Sequence, residues 1–173
     1  MYASHVRPTG RRSKVCPESC PGSFGAIVVE PGLGRSFYGR LRPISARWIP
    51  EALKVSGLSR EETLAFEDAA SVMADFDGWL RTNVPKRMLF ISDNNGFDWQ
   101  FINWYFHHFR GKNPFGHSSS NLGSIYKGLV KDTFKNFKQL RRTRHTHNPV
   151  DDARGNAEAL LHMRDHLGLK IAL

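Results

Sequence analysis

The sequence has few cysteines and no long apolar run, and each of these absences excludes some classes of protein. Cys16 and Cys20 are its only cysteines, which excludes a disulfide scaffold and a four-cysteine zinc site. No apolar stretch approaches the roughly 18 residues of a membrane span. The basic N-terminal residues are not followed by the apolar segment of a secretory signal. We therefore expect a cytoplasmic protein with no membrane partner.

The charge of the chain is unbalanced in the basic direction. Its 173 residues suit a single domain. Lysine and arginine number 25 against 16 acidic residues, which gives a formal net charge of +9 and a pI near 9.9. Such a balance favours a polyanionic partner, above all nucleic acid. The alternative is that the charge serves only solubility.

The first part of the chain is predicted to be a tail followed by a β-hairpin. Residues 1–22 are rich in Arg, Pro, Gly, Ser and Cys and show no periodicity, so we predict a disordered basic tail, with one domain over residues 23–173. Residues 24–30 form an apolar, β-branched run, and residues 36–41 alternate after a Pro- and Gly-containing turn. This pattern predicts two antiparallel strands.

The rest of the chain is predicted to alternate helices with one buried strand. Ser59 and Glu62 have the spacing of a capping box, and apolar residues then recur on one face of a helix of about twenty residues. The apolar run at 88–92 predicts a central strand. Further helices are predicted at 97–109, 124–134 and 152–166. These elements together indicate an α/β protein whose sheet has mixed strand directions.

Two acidic residues lie at equivalent places in this pattern. Asp98 and Asp152 each come at the start of a predicted helix, directly after a strand or loop, where open α/β sheets bind ligands. Pro149 restricts Asn148 to an extended conformation, so the last helix should begin after it. An acid at such a position is favoured by the helix dipole and can be only a cap. A histidine beside a carboxylate, as at His147, also suits metal-assisted hydrolysis.

Taken together, these two segments resemble known exonuclease motifs. The sequences Asp93-Asn94-Asn95-Gly96-Phe97-Asp98 and His147-Asn148-Pro149-Val150-Asp151-Asp152 resemble the second and third motifs of the DEDD superfamily of 3′–5′ exonucleases. A histidine five residues before the last aspartate is typical of its DEDDh branch. The resemblance extends from about residue 23 onward and implies a ribonuclease H-like fold, a mixed sheet flanked by helices.

The resemblance also implies roles for five residues. Asp98 and Asp152 would be ligands of two divalent cations, Mg²⁺ or Mn²⁺, and His147 would be the general base that deprotonates the attacking water. Asn94 and Phe97 would bind the nucleotide. The implied partner is the 3′ end of single-stranded DNA or RNA, and homodimers are common in this family.

The first motif of the family is missing from the sequence. In the family, Asp-x-Glu lies on the first, central strand, where alternation puts both carboxylates on one face of the sheet. No Asp-x-Glu occurs here. Asp75 and Asp77 have a similar spacing, but residues two apart in a helix diverge by about 200°. We therefore expect the first central strand to be missing or replaced, and metal binding and hydrolysis to be weakened.

Two functions remain open at this point. One is a metal-dependent 3′–5′ exonuclease that is impaired in this chain, and the other is a non-catalytic nucleic-acid-binding module on the same scaffold. The basic residues between Lys127 and Arg144 are candidates for phosphate contacts or a solvated surface. The aromatic residues at 99 and 104–106 either stack on bases or form core. We expect His107 and His108 to be exposed or hydrogen-bonded histidines, not metal ligands.

Overall fold

A computed structural model gives the fold. The structure describes residues 22–46, 57–84, 87–144, 146 and 148–171, together with the backbone of residues 2–6. The strands are β1 Tyr2–Val6, β2 Gly22–Val28, β3 Ser36–Leu41, β4 Phe90–Ser92 and β5 Ser119–Asn121. The helices are α1 Arg60–Leu64, α2 Ala69–Asn83, α3 Asn95–Arg110, α4 Leu122–Val130 and α5 Pro149–Leu167, with a short 3-10 helix at Lys138–Leu140 before α5. The strand order is β3-β2-β1-β4-β5.

Strand directions are mixed, as the sequence predicted. β1 and β3 each pair antiparallel with β2, whereas β1 pairs parallel with β4, and β4 pairs parallel with β5. Parallel pairing requires a crossover connection. The connection from β1 to β4 contains the helices α1 and α2, and the connection from β4 to β5 contains α3. The prediction of an α/β sheet flanked by helices is confirmed.

The central position of the sheet is occupied by β1. Ala3 is the partner of Ile27 on one side and of Ile91 on the other. The expectation of a missing or replaced first strand is therefore not confirmed, and Tyr2–Val6 is a strand where we predicted part of a disordered tail. Its order comes from backbone pairing on both sides, which the local sequence does not reveal. The strand contains no Asp or Glu. Residues 7–21 of the predicted tail lie outside the described residues.

The predicted hairpin of β2 and β3 is confirmed. Its turn is closed by hydrogen bonds from Val28 N–H to the Arg35 carbonyl (3.0 Å) and from Leu33 N–H to the Glu30 carbonyl (3.2 Å). Arg35 also binds the Glu30 carboxylate through two hydrogen bonds and donates to the carbonyl of Asn83, at the end of α2. The hydrogen bond from the Arg35 side chain lowers the pKa of the Glu30 carboxyl. The ion pair lies within the hairpin, and the hydrogen bond from Arg35 to Asn83 joins the hairpin to α2.

The single long helix predicted after Ser59 is two helices. Ser59 and Glu62 form the predicted capping box, but α1 ends at Leu64. Asp68 then starts α2 by accepting hydrogen bonds from the N–H groups of Ala70 and Ser71 (3.0 and 3.2 Å). Between the two helices, the Glu67 carbonyl accepts a hydrogen bond from Arg42 N–H (2.8 Å). The helix is interrupted because this backbone pairs with the chain at the end of β3.

The core consists of two apolar layers, one on each face of the sheet. Along β2, Phe24 and Ala26 belong to the layer beneath α2 and α3, whereas Ile27 belongs to the layer beneath α4 and α5. Along β4, Phe90 and Ile91 divide in the same way. This alternation follows from the two-residue period of a strand. It confirms the prediction that the 88–92 segment contains a central, buried strand.

The remaining helices agree with the sequence in position and differ in length. Helices α3 and α5 extend a little beyond the predicted 97–109 and 152–166, and α4 ends at Val130, four residues before its predicted end. On α3, Tyr105 and Phe106 are buried, and Trp99 and Trp104 are partly buried against the same core layer. These positions support the core interpretation of the four aromatics over base stacking. Among the described residues, no helix is both long and apolar enough to cross a membrane.

Candidate active site

The second motif forms the end of β4 and the first turn of α3. Asn94 directly precedes the helix and is exposed, and its carbonyl accepts a hydrogen bond from Asp98 N–H (2.9 Å). Asp98 lies in the first turn and is fully buried. Phe97 is half-buried and packs on Phe101, with ring centroids 4.7 Å apart. Asn94, Phe97 and Asp98 therefore lie together at the C-terminal end of β4.

The third motif forms the start of α5. Asn148 is extended (φ −80°, ψ 125°), as predicted, and its side chain accepts a hydrogen bond from Val150 N–H (2.9 Å). The helix begins at Pro149, three residues before its predicted start. Asp152 follows in the first turn and is 2% exposed. A Cβ atom on Gly25 would lie 2.2 Å from the carbonyl carbon of Pro149. The start of α5 therefore packs directly on β2.

A polar network joins the two motifs. Arg141 Nη2 donates to Asp93 Oδ2 (2.9 Å) and also to Asn156 Oδ1, and Asn156 Nδ2 donates to Asp93 Oδ1 (3.1 Å). Asn156 is fully buried one helical turn after Asp152, on the same face of α5. Asp93 is five residues before Asp98. The network therefore holds the second and third motifs at one end of the sheet.

This network was not predicted from the sequence. Arg141 appeared only as one cation in a basic segment, and Asn156 only as a helix residue. A weak signal was present, because asparagine in a helix interior is unfavourable unless its side chain is used. No spacing rule connects Asp93 to residues 48 and 63 positions later.

The segment before His147 is held against α5. Glu158 accepts hydrogen bonds from Arg142 N–H (2.8 Å), Thr143 N–H (2.7 Å) and Thr143 Oγ1 (2.8 Å). Thr146 Oγ1 donates to Asp151 Oδ2 (2.5 Å). The residues that flank His147 are thus fixed to the helix that contains Asp152. His147 itself lies outside the described residues, so its role stays a prediction.

Two buried carboxylates at this end of the sheet could hold a hard cation. Asp98 and Asp152 supply carboxylate oxygens, the ligand type that Mg²⁺ prefers, and Mg²⁺ is usually bound by one or two carboxylates plus substrate phosphates. The carboxylate of Asp93 is engaged by Arg141 and Asn156. No group of three or more His, Cys, Asp or Glu able to hold a metal ion occurs among the described residues. The predicted pair of cations would need further ligands.

The two histidines of α3 are near its C-terminal end, whereas Asp98 is in its first turn. Among the described residues, neither histidine belongs to a group of side chains that could hold a metal ion. His107 and His108 are exposed in the last turns of α3. The His108 ring stacks on Trp104, with centroids 4.4 Å apart and planes 11° apart. Their exposure agrees with the sequence prediction.

Comparison with known proteins supplies the family. No family model matches the chain. It is 35% identical over 159 residues to the 3′–5′ DNA exonuclease Cap18 of Escherichia coli, covering 86% of this chain and 83% of that protein. Its fold is similar to the nuclease domain of 3′hExo, a DEDDh family member bound to rAMP, with TM-score 0.72, 14% identity and coverage of 99% and 96%. It is also similar to S. pombe Pop2p in its Mg²⁺- and Mn²⁺-bound form, with TM-score 0.64, 12% identity and coverage of 95% and 82%.

These similarities agree with the motifs and with the architecture. The two structural matches establish the fold, since their sequence identities are too low to establish more. The identity to Cap18, over most of both chains, establishes common descent with a 3′–5′ DNA exonuclease. The chain therefore belongs to the DEDDh family of 3′–5′ exonucleases, which have the ribonuclease H-like fold.

Proposed function

We propose that this chain is a metal-dependent 3′–5′ exonuclease that binds the 3′ end of a single DNA or RNA strand and hydrolyses its terminal phosphodiester slowly. The proposal rests on one observation: the two helices of the site provide acidic residues, and the central strand provides none. Asp98 and Asp152 are buried in the first turns of α3 and α5, whereas the central strand Tyr2–Val6 has no carboxylate to add to them. Cytoplasmic location and homodimerisation stay predictions.

Each proposed role follows from residue chemistry and the family motifs. Asp98 and Asp152 hold a divalent cation, which when bound polarises the scissile phosphate and lowers the pKa of water. His147 removes the proton from the attacking water, a task suited to a group that titrates near neutral pH. Asn94 and Phe97, which lie beside Asp98, contact the terminal nucleotide.

The proposed impairment follows from charge. Two divalent cations carry four positive charges, and two carboxylates neutralise only half of them. Ions of like charge about 4 Å apart repel strongly unless ligands offset the repulsion. A site with only Asp98 and Asp152 therefore binds a second cation weakly. A second cation would supply charge stabilisation to a reacting oxygen, so its weak binding by Asp98 and Asp152 alone would lower the rate of hydrolysis.

A non-catalytic nucleic-acid-binding module is the second candidate. The observation that favours it is again the acid-free β1, combined with an exposed basic segment between α4 and α5. A binder needs neither cation nor His147. Its affinity would respond to salt and would be unaffected by a chelator.

Release of nucleotides from a labelled single strand tests the two candidates. We would compare the wild-type chain, Asp98→Asn, and the matched control Asp75→Asn, which removes an exposed carboxylate from α2. Each protein would be assayed with Mn²⁺ and with EDTA. An exonuclease shows Mn²⁺-dependent release that falls at least about a hundredfold in Asp98→Asn and is kept in Asp75→Asn.

The strand is labelled internally, so that shortening from the 3′ end appears as a ladder of products. Folding of each variant is checked by circular dichroism. If folded wild-type protein releases no more nucleotide than Asp98→Asn, hydrolysis by this chain is ruled out. The non-catalytic module then remains, provided that the strand is bound equally with and without EDTA.

A further inference from the structure

One aromatic side chain in the basic segment has no place in the core. Phe134 is 97% exposed, whereas Leu64, the next most exposed large hydrophobic residue among those described, is 48% exposed. Single exposed apolar residues are common on protein surfaces. Near-complete exposure of a phenylalanine is a larger cost, because burial of such a side chain contributes about 1.5–3 kcal/mol.

The backbone around Phe134 is ordered by local hydrogen bonds. Asp132 Oδ1 accepts a hydrogen bond from Phe134 N–H (2.9 Å), and Asn136 Oδ1 accepts one from Lys138 N–H (3.0 Å). Phe137, three residues later, is buried in the core layer beneath α4 and α5. Two such turns and one buried ring hold the backbone on either side of Phe134, whose side chain is exposed between them.

The surroundings of Phe134 are strongly cationic. Between residues 122 and 150 the only acid is Asp132. The same segment contains seven cations, of which all but Arg141 are exposed: Lys127, Lys131, Lys135, Lys138, Arg141, Arg142 and Arg144. Among the described residues, none of these lysines is in an ion pair with an acid. The charge of this surface is therefore available to an anionic ligand.

The segment leads directly into the candidate active site. Seven residues after Phe134, Arg141 is hydrogen-bonded to Asp93. Seven extended residues span at most about 25 Å, the length of about seven nucleotides at the 3.4 Å spacing of a stacked strand. The span from Phe134 to Arg141, which contacts the second motif through Asp93, is therefore no longer than a bound strand of about seven nucleotides.

We propose that Phe134 is a stacking platform for an upstream base of a single-stranded nucleic acid, and that the lysines around it bind the phosphates on either side. Exposed aromatics beside cationic side chains are the common means of binding single strands without sequence preference, since every base offers a flat π face. This inference rests on the proposed function for the position of the 3′ end. Base-paired DNA hides its faces within the duplex, so Phe134 selects single strands.

Binding of a fluorescein-labelled oligothymidylate of about 15 nucleotides, measured by anisotropy in EDTA, tests the platform without requiring hydrolysis. We expect Phe134→Ala to weaken binding about five- to a hundredfold, and Phe134→Trp to restore it. Tyr38→Ala is the matched control, since it removes an exposed aromatic from β3 and should leave binding unchanged. A hairpin duplex should bind Phe134→Ala and wild type equally.

An oligouridylate probe in parallel shows whether RNA is bound by the same contact. Equal affinity of Phe134→Ala and wild type for both single strands would overturn the platform, and Phe134 would then be a contact for some other partner. Absence of nuclease activity has no bearing on this outcome, because the assay contains no metal. The failure of the platform and the failure of the proposed exonuclease are thus observed separately.

Discussion

At the residue scale, Gly25 allows the start of α5 to pack closely on the sheet because glycine has no side chain. A Cβ atom there would lie 2.2–2.3 Å from backbone atoms of Pro149 and Val150, which have no rotamer by which to move away. Gly25→Ala must therefore shift the start of α5, and Asp152 with it. We expect a loss of at least about 2 kcal/mol in the free energy of unfolding, measured by urea denaturation.

Gly78 is the matched control for this substitution. It lies within α2, and a Cβ atom there would have no heavy atom within 4 Å. Gly78→Ala should raise the free energy of unfolding by about 0.5–1 kcal/mol, because alanine restricts the unfolded chain and suits a helix. Equal stability of Gly25→Ala and wild type would mean that α5 does not begin on β2.

Individual residues also show which structural features can be predicted from the sequence. Phe24, Ala26 and Ile27 were assigned to a strand from their apolar character, and Ser59 to a cap from its distance to Glu62, because both signals are local. The contacts of Asp93 with Arg141 and Asn156 could not be predicted. They join positions 48 and 63 residues apart, and no local pattern encodes them.

At the scale of elements, Arg35 forms an ion pair with Glu30 inside the β2–β3 hairpin and donates a hydrogen bond to the Asn83 carbonyl of α2. The Arg35 hydrogen bond lowers the pKa of Glu30 below its ordinary 4.5. A lowered pKa in the folded state means that the pair stabilises the fold above pH 4.5 and that this stabilisation is lost as pH falls through the folded-state pKa. The acid-labile part of the hairpin is therefore this pair.

Glu30→Gln tests this assignment. We expect it to lower the free energy of unfolding by about 0.5–1 kcal/mol at pH 7, a value kept small because the Arg35 side chain is 42% exposed. The difference from wild type should shrink as pH falls below 4.5 in thermal melts. The control is Asp75→Asn on the exposed face of α2. A difference that is constant down to pH 3 would exclude the ion pair as its cause.

Helices and strands were predicted well where they depend on the periodicity of apolar residues. They were predicted poorly where they depend on backbone pairing with a distant segment of the chain. Helices α3 and α5 came from apolar spacing and Pro149, and both are present. The break between α1 and α2 was missed, because it depends on pairing of the Glu67 carbonyl with Arg42. The order of Tyr2–Val6 was missed for the same reason, since both of its partners lie elsewhere in the chain.

For the whole molecule, the net charge of +9 predicts binding that depends on salt. If the protein contacts about five phosphates of a single strand, affinity should fall about a hundredfold between about 50 and 200 mM salt. Anisotropy titrations at several salt concentrations give the slope. Lys131→Gln combined with Lys135→Gln should make that slope shallower by about 1.4.

Phe134→Ala provides the contrast in the same titrations. It removes a stacking contact and no charge, so it should weaken binding at every salt concentration and leave the slope unchanged. An affinity of the wild-type chain that does not vary with salt would mean that the basic charge serves solubility and not nucleic-acid binding.

The place of β1 has a consequence for how the sheet is completed. Only this strand joins the pair β2–β3 to the pair β4–β5. Without it, both pairs present an open edge, and such edges accept an extended peptide from a separate molecule. The chain's own Tyr2–Val6 fills that position, so any change that weakens its pairing with β2 or β4 would open the sheet at its centre.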